Sequence, residues 1–340
     1  MLRLQLLPEH ADGGSWHGSA YIRMLRPFTH PSVLQTDIEA NFARRLDDRP
    51  CDIVIVDRTW HPGLKLKQVE ELLTKARRTG ARLWWAVDDN LLDEHPDRPT
   101  EARLRGLRPA LRLLAREASG IVVSTSALGN RLSTLNKNVV VIENLVDERL
   151  LPSLPKECET RQISVVYMGT NTHRSDLSPV LPALRNVLHR HRGEVTLSLV
   201  GISSHANVWP HVIMVAPPSY DYPQFISWFR SRPWGIGIAP LAENAFNTCK
   251  SDIKLLDYGS CATAAVYSDV PAYDLVRDGV AGVCVPNVPE AWEEALERLI
   301  LDGDLRTHMG QSAYEHVLQQ TLAARGHLWH DAVVTMMTGV

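Results

Sequence analysis

Short, continuous apolar runs alternate along the chain with longer segments in which apolar residues recur at helical spacing. Continuous runs of Val, Ile and Leu are typical of strands that are buried on both faces, as in a parallel sheet. We therefore predict strands at the following eleven runs: LRLQLLP, CDIVIVD, RLWWAVD, GIVVS, NVVVIEN, ISVVYMG, VTLSLVG, VIMVAP, WGIGIAP, AAVYSD and GVCVP.

The segments between these strands carry the helical pattern. The predicted helices are Lys65–Arg78, Arg103–Ala118, Pro179–Arg192, Tyr222–Ser231 and Pro289–Leu301. Strands that alternate with helices in this way form parallel α/β layers.

The strand–helix series is interrupted once, at Asp147–Arg161. This stretch reads DERLLPSLPKECETR, and its prolines and mixed charges are typical of a linker. Since 340 residues also exceed the size of most single cores, we predict two Rossmann-like domains that face each other across a central cleft. The predicted boundaries are 1–152 for the N-terminal domain, 162–318 for the C-terminal domain and 319–340 for a helix that packs back toward the N-terminal domain.

Composition narrows the class of protein. Hydrophobic residues make up 44% of the chain and charged residues 22%, as in ordinary globular proteins, and a net charge of −3 argues against a nucleic-acid-binding protein. The five cysteines are an odd number without a CxxC pair, which favours reduced thiols over disulfides or a zinc site. We find no signal-peptide pattern and no apolar run near the ~20 residues of a membrane span. We therefore expect a cytoplasmic protein.

Candidate chemistry in the first half follows two predicted strands. Gly13 and Gly14 come after LRLQLLP and could let the backbone approach a ligand; the alternative is a plain tight turn. Asp88 and Asp89 come after RLWWAV, and paired carboxylates can bind a sugar hydroxyl, act as a base or hold a metal. Their alternative is a helix cap or turn. We interpret Trp84 and Trp85 as core residues.

In the second half, the stretch GTNTHRSDL follows the strand ISVVYM. Gly169, Thr170 and the residues after them offer backbone and hydroxyl donors just before a helix predicted near Asp176, and His173 adds a possible positive charge. Helix N-termini with small polar residues bind phosphate. The alternative is that Ser175 or Asp176 is simply an N-cap.

The stretch FNTCKSDIKLLDYGSC concentrates charge beside an apolar run. In a helix that begins near Ser251, spacings of four and three place Lys250, Lys254 and Asp257 on one face. The lysines could then meet a diphosphate, and the aspartate could accept hydrogen bonds from a ribose. The alternative is a Lys–Asp pair on a solvated face.

Other catalytic signatures are missing from the sequence. The fourteen histidines are scattered without an HExxH motif, so we expect no metal site, and no GxSxG motif occurs.

The order of these pieces resembles the GT-B glycosyltransferases, and most of all family 4 of those enzymes. The resemblance covers nearly the whole chain and is strongest in GIGIAPLAENAFNTCKSDIKLLDYGSCATAAVYSDVPAYDLVRDGVAGVCVPN. Supporting matches are YMGTNTHRSDL, the Asp pair after WWAV, and STSALGNRL followed by VVVIENLVD. One departure is Cys249, which stands where the family has a glutamate that contacts the donor sugar.

The resemblance implies a retaining transferase that needs no metal or other cofactor. It implies that the second domain holds a nucleotide-sugar donor and that the first binds the acceptor. The implied donor residues are Gly169, Thr170, His173, Lys250, Ser251, Lys254 and Asp257, with base contacts near Gly201 and Pro217–Tyr222, including Tyr222. The implied acceptor and catalytic residues are Gly13, Gly14, His17, Asp88 and Asp89.

The stretch RPTEARLRGLRPALRLLARE places arginines from Arg98 to Arg116 among leucines. A basic amphipathic helix can lie on an anionic membrane or meet a lipid diphosphate. The alternative is a helix packed by its leucines with solvated arginines.

The functional hypothesis is a hexosyl- or deoxyhexosyltransferase that acts on a glycan or lipid-linked acceptor in bacterial surface polysaccharide or related glycan assembly. We expect it to be cytoplasmic and peripheral on the inner face of the membrane. The alternatives are a sugar-nucleotide 2-epimerase of the same architecture and a non-catalytic partner of another transferase.

Overall fold

The computed structural model describes residues 1–11, 13–95, 100–151, 162–170, 174–202, 211–219, 221–274, 276 and 280–338. The chain forms two compact units. The first unit comprises Met1–Glu148, Cys249–Ser251 and Gln320–Val340, and the second comprises Arg149–Thr248 and Asp252–Gln319. Each unit contains one six-stranded parallel sheet.

The sheet of the first unit has the strand order β2-β1-β3-β4-β5-β6. Its strands are β1 (Leu2–Leu7), β2 (Ile38–Phe42), β3 (Ile53–Asp57), β4 (Arg82–Val87), β5 (Gly120–Val123) and β6 (Val139–Val141). All five pairings are parallel, as the continuous apolar runs predict.

Helices cover both faces of this sheet. They are α1 (Gly18–Ala20), which continues into a π-helical turn (Tyr21–Leu25), α2 (Pro31–Leu34), α3 (Leu66–Thr79), α4 (Glu101–Glu117) and α5 (Ser126–Leu132). A short 3-10 turn lies at Pro27–Thr29, and another, at Glu148–Leu150, begins in this unit and ends in the second. Helices α12 (Leu322–Arg325) and α13 (His327–Thr338) end the first unit.

The core of the first unit has two layers, one on each face of the sheet. Successive residues of a strand point to opposite faces, so Trp85 joins the layer beneath α3 and α4, whereas Trp84 joins the layer with Phe28 and Trp329. Both neighbouring tryptophans are buried, which confirms their interpretation as core residues.

The sheet of the second unit has the order β12-β11-β10-β7-β8-β9. Its strands are β7 (Ile163–Met168), β8 (Val195–Val200), β9 (Val212–Val215), β10 (Ile236–Ala239), β11 (Ala264–Ser268) and β12 (Val283–Val285). Its helices are α6 (Arg174–Leu177), α7 (Leu181–Arg190), α8 (Tyr222–Arg230), α9 (Ile253–Gly259), α10 (Pro289–Leu301) and α11 (Gly303–Gln319). Short 3-10 turns lie at Ser178–Val180 and Pro271–Tyr273, and a third, at Asn247–Cys249, ends in the first unit.

The eleven predicted strands and the five predicted helices are confirmed, with ends that differ by a few residues. Strand β2 was not predicted. Only its first residue, Ile38, is buried, and its sequence IEANF lacks the continuous apolar run of the others.

Candidate functional site

Strand order locates a candidate site in each unit. In a parallel α/β sheet, ligands bind outside the carboxyl ends of the strands where the strand order reverses direction. That point lies between β1 and β3 in the first unit and between β7 and β10 in the second.

In the first unit, the carboxyl end of β3 leads into a strained turn. Arg58 and Trp60 have φ values of +46° and +26°, in the left-handed region that non-glycine residues avoid. The Arg58 N–H donates to the Ala86 carbonyl at 2.8 Å, and the Trp85 indole Nε1 donates to the Arg58 carbonyl at 2.9 Å. These bonds fix the turn against β4.

The Arg58 guanidinium joins three carboxylates. Its Nε donates to Glu9 Oε2 at 2.8 Å, and its Nη1 pairs with Asp88 and with Asp89 Oδ2, the latter at 3.1 Å. Thr59 donates its hydroxyl to the same Glu9 carboxylate. Although burial acts to raise the pKa of Glu9, the charge of Arg58 holds that pKa below its ordinary value.

Asp57, at the end of β3, lies among carboxylates, whereas Glu9 is paired with a cation. Its side chain is fully buried, its Oδ2 accepts from the Glu9 N–H at 3.0 Å, and its Oδ1 has no hydrogen-bond partner among the described residues. Burial, and then the nearby charges of Glu9 and Asp88, raise the pKa of Asp57 to about 8. At neutral pH this carboxyl group therefore holds a proton.

The Cys249–Ser251 segment belongs to the first unit. Lys250 Nζ donates to Asp89 Oδ1 at 3.2 Å, Ser251 Oγ accepts from Asn144 Nδ2 at 2.8 Å, and the Cys249 carbonyl accepts from Thr125 at 2.9 Å.

One geometric expectation is therefore wrong: Lys250 does not share a helix face with Lys254 and Asp257. Helix α9 begins only at Ile253. The backbone leaves helical geometry before Lys250, so the spacing of four has no structural meaning there.

Gly13 and Gly14 lie at the tip of a small hairpin that follows β1. Gly14 has φ +81°, its N–H donates to the Ala11 carbonyl at 2.9 Å, and its own carbonyl accepts from Arg44 at 3.0 Å. The glycines thus form the tight turn that was their alternative interpretation. His17 is exposed, precedes α1, and donates its N–H to the Glu9 carbonyl at 3.0 Å.

In the second unit, the carboxyl ends of β7 and β8 approach each other closely. A Cβ atom on Gly201, which has φ +79°, would lie 2.4 Å from the Gly169 carbonyl oxygen. Lys254 reaches the same place from α9: its Nζ donates to the Met168 carbonyl and lies 5.1 Å from the centre of the Tyr167 ring. One ammonium group thus lies beside the closely packed backbone at this edge of the sheet.

Asp257 lies one turn further along α9 and is buried. Burial raises its pKa to about 6, against the opposing charges of Arg230 and Lys254. The carboxyl group therefore stays ionised at neutral pH. Of the other predicted donor residues, Thr170 is exposed, Tyr222 opens α8, and His173 lies outside the described residues.

The loop after β10 forms a part of the site that sequence reasoning missed. Asp176 Oδ1 accepts from Asn247 Nδ2 at 2.7 Å and from the Ala242 N–H at 3.1 Å, which ties α6 to this loop. A cavity of about 210 Å³ lies beside it, lined by residues that include Glu243, Asn244 and Asp269. Cys249 stands where the family pattern has a glutamate, and Glu243 lies only six positions before it. This nearby acid was the signal in the sequence that could have indicated the loop.

Helix α4 buries its leucines in the core of the first unit: Leu104, Leu107, Leu111 and Leu114. Arg108 is also buried and forms a bidentate pair with Glu101, with distances of 2.6 and 2.8 Å. Arg103, Arg105, Arg112 and Arg116 are exposed, and Arg98 lies outside the described residues. The structure thus matches the packed-helix alternative in its leucines and in these four arginines, but not in Arg108.

The described part of the chain offers no candidate for a membrane span or for a metal site. None of its helices combines the length and the hydropathy that crossing a membrane requires. No group of three or more His, Cys, Asp and Glu side chains within it is arranged to hold a metal ion.

Comparison with known proteins shows the fold. No family model and no curated protein matches the chain. Among solved structures, Anabaena Alr3699/HepE in complex with UDP-glucose is similar over 100% of both chains, with 12% identity and a TM-score of 0.66. A glycosyltransferase from Rickettsia africae ESF-5 is similar over 99% of this chain and 98% of its own, with 15% identity and a TM-score of 0.64.

A UDP-forming alpha,alpha-trehalose-phosphate synthase from Burkholderia xenovorans is similar over 85% of this chain and 74% of its own, with 12% identity and a TM-score of 0.58. The chain therefore has the GT-B fold, with two Rossmann-like units. The resemblance to GT-B glycosyltransferases is confirmed at the level of the fold, and the assignment to family 4 stays a prediction.

Proposed function

We propose that this protein is a glycosyltransferase that moves a sugar from a nucleotide-sugar donor to a hydroxyl group of a glycan or lipid-linked acceptor. The observation that supports this best is the similarity over the full length to a structure that holds UDP-glucose. We further propose retention of anomeric configuration, no metal cofactor, and a hexosyl or deoxyhexosyl transfer in bacterial surface polysaccharide or related glycan assembly at the cytoplasmic side of the membrane.

In this reaction the acceptor oxygen bonds to the anomeric carbon, and the bond from that carbon to the donor phosphate breaks. The nucleoside diphosphate leaves with the electron pair, and the acceptor hydroxyl gives up its proton, for which Asp88, Asp89 and His17 are the candidate acceptors. Negative charge grows on the departing phosphate. Fixed cations and backbone N–H groups at that phosphate lower the barrier.

The second unit supplies groups of this kind. We assign the diphosphate to Lys254, Gly169 and Thr170, because the Lys254 ammonium group lies at the end of β7, which leads into the half-buried Gly169 and the exposed Thr170. We assign the ribose to Asp257, whose carboxyl group, with a pKa of about 6, is ionised at neutral pH and accepts hydroxyl hydrogen bonds. Tyr222, which opens α8, is the proposed base contact.

The assignments of Lys250, Ser251 and His173 to the donor stay predictions. Lys250→Ala tests the first of them. Donor affinity that falls in this variant would support a phosphate contact, and unchanged affinity would contradict it.

The membrane proposal rests on charge alone. Because the leucines of α4 face the core, only the exposed arginines, among them Arg112 and Arg116, can meet an anionic lipid surface. Flotation with vesicles of neutral lipid, and of neutral lipid with phosphatidylserine, measures this contact. Binding that needs phosphatidylserine and weakens with salt is expected; no binding to either vesicle overturns the proposal.

The donor is identified by a thermal-shift panel of uridine, guanosine, thymidine and cytidine diphosphates and their sugars, with magnesium or with EDTA. A ligand at one hundred times its Kd stabilises the folded protein by about 2.7 kcal/mol. A selective shift that survives EDTA supports a metal-independent donor site. No shift with any nucleotide would contradict the proposed function.

Acceptor-dependent release of nucleoside diphosphate then separates transfer from the alternatives. An epimerase would convert the donor without an acceptor, and a non-catalytic partner would do neither. Asp89→Ala is expected to reduce transfer while donor affinity stays the same, and Asp304→Ala, at an exposed position of α11, is the control. If Asp89→Ala lost donor affinity, the assignment of this carboxylate to the transfer step and not to the donor site would be wrong.

A further inference from the structure

The turn after β3 concentrates backbone strain. Within the described residues, five non-glycine positions have positive φ, and two of them, Arg58 and Trp60, lie in this three-residue turn. Such conformations persist only where surrounding contacts enforce them, and they cluster at functional sites. We therefore consider which contacts of the Arg58 side chain depend on this strained backbone.

The backbone of Arg58 is held from both sides by β4. Its N–H bonds to the Ala86 carbonyl and its carbonyl to the Trp85 indole, at 2.8 and 2.9 Å. Asp88 and Asp89 follow directly after the same strand. The backbone that carries the guanidinium and the backbone that carries the two carboxylates are therefore both fixed by β4.

The guanidinium uses different nitrogen atoms for different partners. Nε bonds to Glu9, while Nη1 bridges Asp88 and Asp89. The side chains of Arg58, Asp88 and Asp89 are only 15%, 18% and 18% exposed, so solvent screens these bonds little. A planar guanidinium has the donors for such a fork, whereas a lysine provides a single point charge.

The surrounding charges balance when Asp57 holds its proton. The groups that face one another are Glu9, Asp57, Asp88, Asp89, Arg23, Arg58 and Lys250, and His17 acts on Glu9. Among these described groups, three carboxylates face three cations when Asp57 is neutral. Removal of Arg58 would leave adjacent carboxylates without their shared partner, and they would repel each other.

We propose that Arg58 is a positioning residue, which fixes the Asp88 and Asp89 carboxylates in the orientation that acceptor transfer requires. The inference rests on the proposed function for the reaction that these carboxylates serve. That Arg58 sets the orientation of the two carboxylates does not depend on the proposed function, and it is measured in a separate experiment.

The first experiment compares the kinetics of Arg58→Ala, Arg58→Lys and the control Arg3→Ala in the full chain. Arg3 lies near the amino end of β1 and pairs with Asp52, which directly precedes β3, so this pair is at the sheet edge opposite the carboxyl ends of the strands. We expect kcat of Arg58→Ala to fall about 100-fold, as misplaced groups of this kind do, while the KM for the donor changes less than about twofold. Arg58→Lys restores part of kcat, and guanidinium ion at tens of millimolar rescues only Arg58→Ala.

A second measurement keeps the inference testable if no transfer is detected for the wild-type protein, which would count against the proposed function alone. Crystal structures of the wild type, Arg58→Lys and Arg58→Ala show the Asp88 and Asp89 carboxylates directly. Carboxylates that turn away from their wild-type positions in Arg58→Ala, or in Arg58→Lys if the alanine variant does not fold, support the inference. Carboxylates that keep their positions, or a kcat loss that guanidinium and lysine both leave unchanged, overturn it.

Discussion

The two sheets each contain six parallel strands, yet they place different chemistry at the point where strand order reverses. In the first unit, β1 and β3 flank this point, and their ends bring Glu9, Asp57 and Arg58 together. In the second unit, β7 and β10 flank it, and the order is that of a Rossmann fold. Next to this point, the ends of β7 and β8 bring two glycines together beside Lys254.

Two buried aspartates show what this difference means. Asp57 lies among other carboxylates, which add to the effect of burial, and its pKa is about 8. Asp257 lies near Arg230 and Lys254, which oppose the effect of burial, and its pKa is about 6. Equal burial thus gives a protonated acid in one unit and an ionised acid in the other at neutral pH.

The largest expected effect is the loss of nucleotide affinity when Lys254, the cation at the sheet edge of the second unit, is removed. Lys254→Ala should weaken binding of the nucleoside diphosphate by about 10- to 150-fold, since a charge-assisted hydrogen bond contributes about 1.5–3 kcal/mol. Isothermal titration calorimetry measures this, with Lys67→Ala on the exposed face of α3 as the control. If Lys254→Ala binds as the wild type does, the proposed phosphate site at the end of β7 is wrong.

The next effect concerns the close approach of two loops in the second unit. Gly201→Ala and Gly193→Ala both place a side chain on a left-handed backbone, which costs about 1–2 kcal/mol. Only at Gly201 does the new Cβ meet backbone, at 2.4 Å, whereas at Gly193 nothing lies within 4 Å. Urea unfolding should therefore show about 1–3 kcal/mol more destabilisation for Gly201→Ala; equal losses would mean that the loops separate freely.

The last prediction, and the sharpest contrast between the units, concerns the pH dependence of stability, where the change at each pH step is small. Between its ordinary value of 3.8 and its folded value of about 8, Asp57 keeps its proton in the folded state and loses it in the unfolded state. The free energy of unfolding therefore falls as pH rises through this window, by at most about 1.4 kcal/mol per pH unit. For Asp257 the same fall ends near pH 6.

Urea unfolding of Asp57→Asn and Asp257→Asn at half-unit steps from pH 5 to 8.5 tests this. Between pH 6.5 and 8, the difference from wild type should change with pH for Asp57→Asn and stay constant for Asp257→Asn. Parallel curves for both variants over that range would show that Asp57 is already ionised there.

Local patterns were enough for most of the fold. Strands buried on both faces need apolar residues at every position, and such runs are visible without any knowledge of neighbours. Strand β2 shows the limit of this reasoning: Ile38–Phe42 is mostly half-exposed, and its pairing with β1, more than its composition, makes it a strand.

The candidate sites were visible only in part. Asp88 and Asp89 stand out as a pair after a buried strand, whereas Glu9 and Arg58 are single charges in unremarked positions. Arg58 lies 49 residues from Glu9 and 30 from Asp88. No local spacing relates groups at such separations, so their network could not be anticipated.

The sequence by itself determined which segments become strands and helices, because burial periodicity acts over a few neighbouring residues. Only the tertiary structure decided the order of the strands, and with it which loops meet at each sheet edge. It also placed Lys250 and Lys254, which are four positions apart in sequence, in different units. Lys250 instead bonds to Asp89, which is 161 positions away in sequence. Those outcomes depend on contacts between distant residues, whose free energies no single segment contains.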